Sequence, residues 1–162
     1  MKQVSIFLLI IILIGCAKNI SDTDKNPTII SFDNQPSFDA YKKLNLDSIY
    51  PNLLDSRNST QEQHKKVIES WSKFHQQVSK FMKDENFTWD SPDSTISIVN
   101  KIYFSKSGSI DYYFFRIINP SISNAKRLEF ETVLQNFSKN IKIELNRDDK
   151  YAQCGKTRYV NY

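Results

Sequence analysis

The sequence ISIVNKIYFSKSGSIDYYFFRII, residues 96–118, predicts a β-hairpin around which the rest of the domain is organised. Its first half alternates, with apolar residues on one face at Ile96, Ile98, Ile102 and Phe104. Its second half, from Ile110 to Ile118, is dense in Tyr and Phe, which favour strands. The connecting residues 105–109 place Gly108 near the end of the loop, where a hairpin bulge requires a left-handed residue.

Two amphipathic helices are predicted on either side of the hairpin. The first is about two dozen residues long, begins with the capping pair Ser59 and Glu62, and ends near Lys83. Its apolar stripe contains Val67, Trp71, Phe74, Val78 and Phe81. The second is capped by Ser121 or Ser123 and carries a stripe of Phe130, Val133, Leu134 and Phe137. We expect both stripes to pack on a sheet as core. For the first stripe, a partner-binding face and a coiled-coil seam are the alternatives.

Two further strands are predicted after the second helix. Ile141, Ile143 and Leu145 alternate with charged residues, which predicts one strand. A final edge strand, broken at Gly155, is predicted from Lys150 to Tyr159. The order helix, strand, strand, helix, strand, strand predicts an α+β fold. We expect a small antiparallel sheet of about four strands with two main helices packed on one face.

The N-terminus predicts export. Lys2 precedes Ile6–Ile14, an uninterrupted run of nine apolar residues. This is the layout of a secretory signal, and a helix of this length rises only about 14 Å, too little to cross a bilayer. The polar segment that follows, residues 16–35, predicts a flexible tether with a reach of about 25 Å. A single domain would then occupy residues 36–162, with short helical turns between Ser37 and Leu54.

The signal ends in Leu13-Ile14-Gly15-Cys16, which resembles the lipobox of bacterial lipoproteins. The resemblance implies that residues 1–15 are a signal peptide, cleaved before Cys16, and that Cys16 carries diacylglycerol on its sulfur. Ala17 and Lys18 follow Cys16 where an inner-membrane retention signal would have Asp, so the resemblance implies outer-membrane sorting. The alternatives are an ordinary secretory signal or an N-terminal membrane helix with an incidental cysteine.

Composition narrows the classes of partner. Without Lys2 the net charge falls from +4 to +3, and the signs are interspersed, so we expect no nucleic-acid partner. If Cys16 carries lipid, Cys154 has no intrachain partner, which excludes a disulfide scaffold. No cluster of metal ligands and no phosphate-binding glycine loop is present, so we expect neither a metal nor a cofactor.

Residues 99–145 carry a second resemblance. Their order, an alternating strand, a glycine turn, a second alternating strand, a serine-rich entry, a helix and a strand, resembles the C-terminal domain of TonB-type periplasmic proteins. The resemblance implies a topology and docking of a partner along a strand edge. It implies no activity.

The hairpin supplies the first candidate site. Both of its faces are aromatic, and one of them must pack against the helices. The other is a candidate contact surface for a protein or a sugar, made of Tyr103, Tyr112, Tyr113, Phe115 and Arg116. The alternative is that the N-terminal segment of the domain buries this second face as well.

Cys154 and the two histidines are the remaining candidates. Cys154 has Lys150 and Arg158 nearby, which could activate its thiol for redox chemistry, although a buried, inert cysteine is the preferred interpretation. His64 and His75 share a helix face but lie about 16 Å apart along it, too far to bind one metal ion. We interpret them as partly exposed residues at the border of the stripe.

The sequence favours a non-enzymatic lipoprotein of the cell envelope. Its domain would bind an unknown envelope protein or serve as an accessory subunit of an envelope complex, and lipid on Cys16 would hold it to the membrane. The alternatives are an anchored inhibitor or immunity protein, and a thiol-dependent redox protein that uses Cys154.

Ser48 and Ser94 lie in three-residue motifs similar to bacterial O-glycosylation sites.

Overall fold

The α+β fold is confirmed by a computed structural model, which describes residues 26–145 and 147–161. The strands are β1 (Thr28–Ser31), β2 (Thr95–Phe104), β3 (Ile110–Ile117) and β4 (Tyr151–Val160). The helices are α1 (Gln35–Lys43), α2 (Gln61–Asp84) and α3 (Asn124–Asn140), with short 3-10 turns at Leu46–Ser48 and Ser56–Asn58. The four strands form one sheet in the order β1-β3-β2-β4.

The sheet is mixed rather than wholly antiparallel. The β2–β3 hairpin and the β2–β4 pair are antiparallel, but β1 runs parallel to β3. The prediction of a tether up to residue 35 is wrong over Thr28–Ser31, where Ile29 is buried and the segment pairs with Tyr112–Phe115. Four residues among polar neighbours are too short for alternation to stand out. It is also wrong near residue 35, because Asn34 caps α1, which begins at Gln35. Residues 16–25 of the predicted tether, the signal and the lipobox lie outside the described residues.

The strand predicted at 141–145 is wrong. Ile143 is buried there, yet its backbone amide donates to the carbonyl of Gly108 in the hairpin loop at 3.0 Å, and the segment makes only one isolated bridge, Ser109 with Lys142. Gly108 has a φ of +80°, as predicted, and the Ile143 carbonyl oxygen would lie 2.5 Å from any added Cβ. The alternation therefore reflects packing onto the hairpin loop, without a strand ladder.

Both long helices lie where the sequence predicts them. The capping box of α2 is formed by Thr60 and Gln63, one residue later than predicted, and the predicted cap Ser123 begins α3. Their apolar stripes pack on one face of the sheet around a core that includes Phe74, Val78, Phe130, Leu134 and Phe137. Within residues 26–145 and 147–161, none of the helices combines the length and the hydrophobicity of a membrane span.

The opposite face of the sheet has a smaller core. Tyr41 of α1, with Leu46 and Tyr50 from the turns that follow, packs on Tyr103, Phe114 and Ala152. This cover reaches only the half of the face where β4 begins. On the other half, Val99 is partly exposed and Arg116, Lys156 and Arg158 are exposed.

Candidate protein-binding edge

The aromatic hairpin is not an exposed contact surface. Tyr103, Tyr113 and Phe115 have exposed fractions of 0 %, so the predicted contact surface is wrong for these three residues. Tyr112 is half-buried, and Arg116 alone of the five is exposed. The alternative, burial of both faces, is the one that the structure bears out.

The covering residues explain this burial. Tyr113 and Phe115 face the α2–α3 core, while Tyr103 and Phe114 lie beneath α1. The ring of Tyr41 lies 4.1 Å from that of Phe114, and the ring of Tyr50 is perpendicular to that of Tyr103 at 5.2 Å. The aromatic content of the hairpin therefore reflects two cores, one on each side of the sheet.

A polar network closes the smaller core at the surface. The hydroxyl of Tyr103 donates to Asp47 Oδ1 at 2.8 Å, and Lys101 Nζ donates to Asp47 Oδ2 at 2.7 Å. The Tyr41 and Tyr103 hydroxyls also contact each other. Burial raises the pKa of Tyr103. Partial burial opposes ionisation of Asp47, but the hydrogen bonds from Lys101 and Tyr103 outweigh it and hold the pKa of Asp47 below its ordinary value.

Cys154 is a half-buried residue of β4, directly opposite Lys101 of β2. Burial raises the pKa of its thiol, so less of it is thiolate at neutral pH than for a free cysteine. Within the part of the chain that the structure describes, no group of three or more His, Cys, Asp or Glu side chains could hold a metal ion.

The two histidines differ from the sequence interpretation. His75 is buried rather than bordering the stripe, and its Nδ1 lies 2.5 Å from the Tyr159 hydroxyl. Burial lowers its pKa to about 3, so it is neutral at physiological pH. His64 is half-buried, as expected for the border of the stripe.

The outer edge of β4 is closed along its first half by the chain itself. The segment Pro51–Leu53 runs parallel to the strand. The Ala152 amide donates to the Pro51 carbonyl at 2.9 Å, and the Leu53 amide donates to the Ala152 carbonyl at 2.9 Å. Asn52 Oδ1 then accepts from the Cys154 amide at 3.1 Å. Beyond that point the covering segment turns away into Ser56–Asn58.

The second half of the same edge is open. Backbone groups of successive residues in an edge strand point alternately toward and away from the sheet. Because those of Ala152 point outward, those of Lys156 and Arg158 do so too. No protein group within residues 26–145 and 147–161 bonds to these outward amides and carbonyls. We call Lys156–Val160 the open edge.

An apolar groove borders the open edge on the α2 side. It has a volume of about 360 Å³, and its lining includes Ile68, Trp71 and His75 of α2 and the β4 residues Thr157, Arg158, Tyr159 and Val160. Ile68 is 48 % exposed and, on the edge itself, Val160 is 52 % exposed. The ring of Trp71 lies over Gly155, where an added Cβ would sit 3.2 Å from it, so glycine lets the tryptophan form the end of the groove.

The other side of the open edge is basic. Arg116, Val99 and Lys156 are direct neighbours across three strands, and Arg158 lies opposite Ser97. Arg116 pairs with Asp33 at 3.2 Å. Lys156 and Arg158 make no salt bridge to any acidic group in the described part of the chain. The open edge therefore combines outward backbone groups, an apolar side and a side with two unpaired cations.

Comparison with known proteins adds no relative: no family model matches the chain, and no curated protein or solved structure matches it either.

Proposed function

We propose that this chain is a cell-envelope lipoprotein whose domain holds a protein partner along the open edge, Lys156–Val160, without catalysing a reaction. A strand with unpaired outward amides and carbonyls can accept an extended segment of another protein by main-chain hydrogen bonding. The neighbouring groove can add contacts to the side chains of that segment.

One observation supports the docking mode most strongly. The first half of the β4 edge already binds an extended segment, Pro51–Leu53, by backbone hydrogen bonds. The second half has the same outward backbone geometry, and an apolar groove lies beside it. The TonB-type resemblance is not needed for this proposal, because the strand it requires at 141–145 is absent and β4 lies beyond its range.

Anchoring is supported by the sequence Leu13-Ile14-Gly15-Cys16 behind its apolar run. Two or more acyl chains on one protein give stable membrane attachment. A lipidated Cys16 would therefore keep the domain at an envelope surface, where its partner must also be. The raised pKa of Cys154 favours this binding role over thiol-dependent redox chemistry.

The anchor can be tested with the two cysteines as matched variants. Cells expressing the full chain would be fed an alkyne-tagged palmitate and fractionated, and the protein would be analysed by mass spectrometry. We expect label and membrane retention in the parent and in Cys154→Ala, and loss of both in Cys16→Ala. Label and retention that survive in Cys16→Ala would overturn the lipoprotein assignment.

Partner binding can be tested by photo-crosslinking in the intact envelope. A photoreactive amino acid would replace Lys156, and a control would carry it at Leu128, which is 65 % exposed on α3. We expect a discrete protein adduct from position 156 and none from position 128. Arg158→Pro, which removes an outward amide, should abolish the adduct. If position 156 gives no adduct, or the same adduct as position 128, the open edge is not a partner site.

A further inference from the structure

We infer that the open edge takes an extended peptide segment in which acidic and apolar residues alternate, added as a fifth strand beside β4. This inference rests on the proposed function and specifies the chemistry of the partner. It follows from the different environments on the two sides of one strand edge.

The acidic half of the pattern comes from Lys156 and Arg158. Side chains of a strand alternate between the two faces of its sheet, and residues opposite each other on neighbouring strands share a face. Residues of an added strand that face Lys156 and Arg158 therefore meet two exposed cations without an acidic partner among the described residues. Carboxylates at those positions, two residues apart, would pair with both.

The apolar half comes from the α2 side. The intervening residues of the added strand would point toward the groove, where Trp71 and the exposed Ile68 provide apolar surface. On β4 the groove is lined by all four residues of Thr157–Val160, and by strand alternation the side chains of Thr157 and Tyr159 are the ones that lie on this face. Burying aliphatic side chains there removes apolar area from water on both partners. The open edge of five residues spans about 17 Å, so an added strand would place two such side chains, opposite Thr157 and Tyr159, toward the groove.

The charges also disfavour a second copy of this chain as the occupant. Pairing two β4 edges would bring the Lys156–Arg158 pair of one molecule close to that of the other. Like charges on facing strands destabilise the pairing, and lysine on an edge is a common way to prevent it. The same two cations attract an acidic segment, so the charge pattern selects a different partner.

The test uses the mature lipidated protein in neutral detergent and a fluorescent seven-residue peptide that alternates valine and glutamate. Three control peptides isolate each part of the inference. One replaces every glutamate with lysine, one groups the glutamates at one end, and one is N-methylated on the amides that would face β4. Binding is followed by fluorescence anisotropy to about 1 mM peptide, since short strands bind weakly.

Charge variants of the protein complete the design. Lys156→Glu/Arg158→Glu should weaken binding of the alternating peptide by roughly tenfold or more, because two attractions become repulsions. Lys139→Glu, an exposed change on α3, should leave the affinity within about twofold. Backbone amide exchange confirms that each variant keeps the parent fold, and sedimentation velocity reports any self-association.

The expected result is binding of the alternating acidic peptide only, with new amide protection at Lys156 and Arg158. Equal binding of the lysine peptide, or no effect of the double charge reversal, would overturn the inference while leaving edge docking intact. Failure of all four peptides would overturn it too. Dimerisation through the open edge would show a second copy as the occupant. The proposed function fails separately, through the crosslinking experiment at position 156.

Discussion

The two halves of β4 have the same backbone geometry and opposite surroundings. At Ala152 the outward amide and carbonyl both bond to Pro51–Leu53, and the side chain is buried beneath Tyr41. At Arg158 the outward groups have no partner within the described residues, and the side chain is exposed. One strand therefore serves as structure along its first half and as an available edge along its second.

The two halves differ in what surrounds the strand. The closed half is mostly buried and is covered by tyrosines on one face, whereas the open half carries cations on one side and a groove on the other. An edge left open by accident would be at risk of aggregation, and charged side chains reduce that risk. Here the charges also define which partner the edge would accept.

The sharpest contrast uses proline at matched outward positions. Ala152→Pro removes the hydrogen bond to the Pro51 carbonyl and places a ring in a buried site, so we expect a loss of about 3 kcal/mol in the free energy of unfolding. Arg158→Pro removes an amide that points to solvent, and we expect a change of less than about 1 kcal/mol. Urea unfolding measures both. Equal losses would mean that the two halves are not structurally distinct.

A smaller effect is expected from Asn52, whose side chain ends the closed half. Its Oδ1 accepts from the amides of Cys154 and Leu54. Asn52→Ala should lower the free energy of unfolding by about 1.5 kcal/mol and speed exchange of the Cys154 amide. Ser48→Ala, which changes an exposed hydroxyl nearby, is the control. An unchanged Cys154 exchange rate would show that Asn52 does not close the edge.

Cys154 lies at the boundary between the halves, and its reactivity reports how closed that boundary is. Because burial raises the pKa of the thiol above its ordinary value of 9.0, alkylation by iodoacetamide at pH 8 should be severalfold slower than for a free cysteine. The rate as a function of pH gives the pKa directly. A midpoint below 8 would contradict the structure and would reopen the redox alternative.

The smallest effect concerns Asp47, which closes the covered face at its rim. Its pKa in the folded state is lowered from the ordinary value of 3.8. Ionised Asp47 therefore stabilises the fold above pH 3.8, and this contribution is lost as the pH falls through the folded-state pKa. Because the side chain is 64 % exposed, the contribution is only about 0.5 kcal/mol. Between pH 5 and pH 3 the parent should lose more stability than Asp47→Asn. If the parent and Asp47→Asn lose the same free energy of unfolding over this pH range, the ionised Asp47 does not stabilise the fold.

Strong local periodicity made most of the fold predictable. The 24-residue α2, the cap at Ser123 and the hairpin with its left-handed Gly108 all follow from patterns within a few residues. β1 was missed because four residues carry too little pattern, and its parallel pairing with β3 depends on distant contacts. Residues 141–145 alternate like a strand, but burial of Ile143 against the hairpin loop produces the same pattern.

The candidate site was less predictable for a physical reason. Aromatic residues on both faces of a hairpin indicate burial or exposure equally well, and the cover provided by Tyr41 and Tyr50 lies more than fifty residues away in the chain. The edge position of β4 was predicted, and its alternating Lys156 and Arg158 were visible. Which part of the edge stays open could not be predicted from the sequence, because it depends on where the segment Pro51–Leu53 turns away from β4.

Residue-resolved amide exchange across β4, with and without the alternating acidic peptide, tests the central claim most directly. In the free protein we predict slow exchange at Ala152 and Cys154 and fast exchange at Lys156 and Arg158, with Thr157 slow as the internal reference. Saturating peptide should slow Lys156 and Arg158 specifically. Protection of these two amides in the free protein, or their continued fast exchange with peptide bound, would contradict the account.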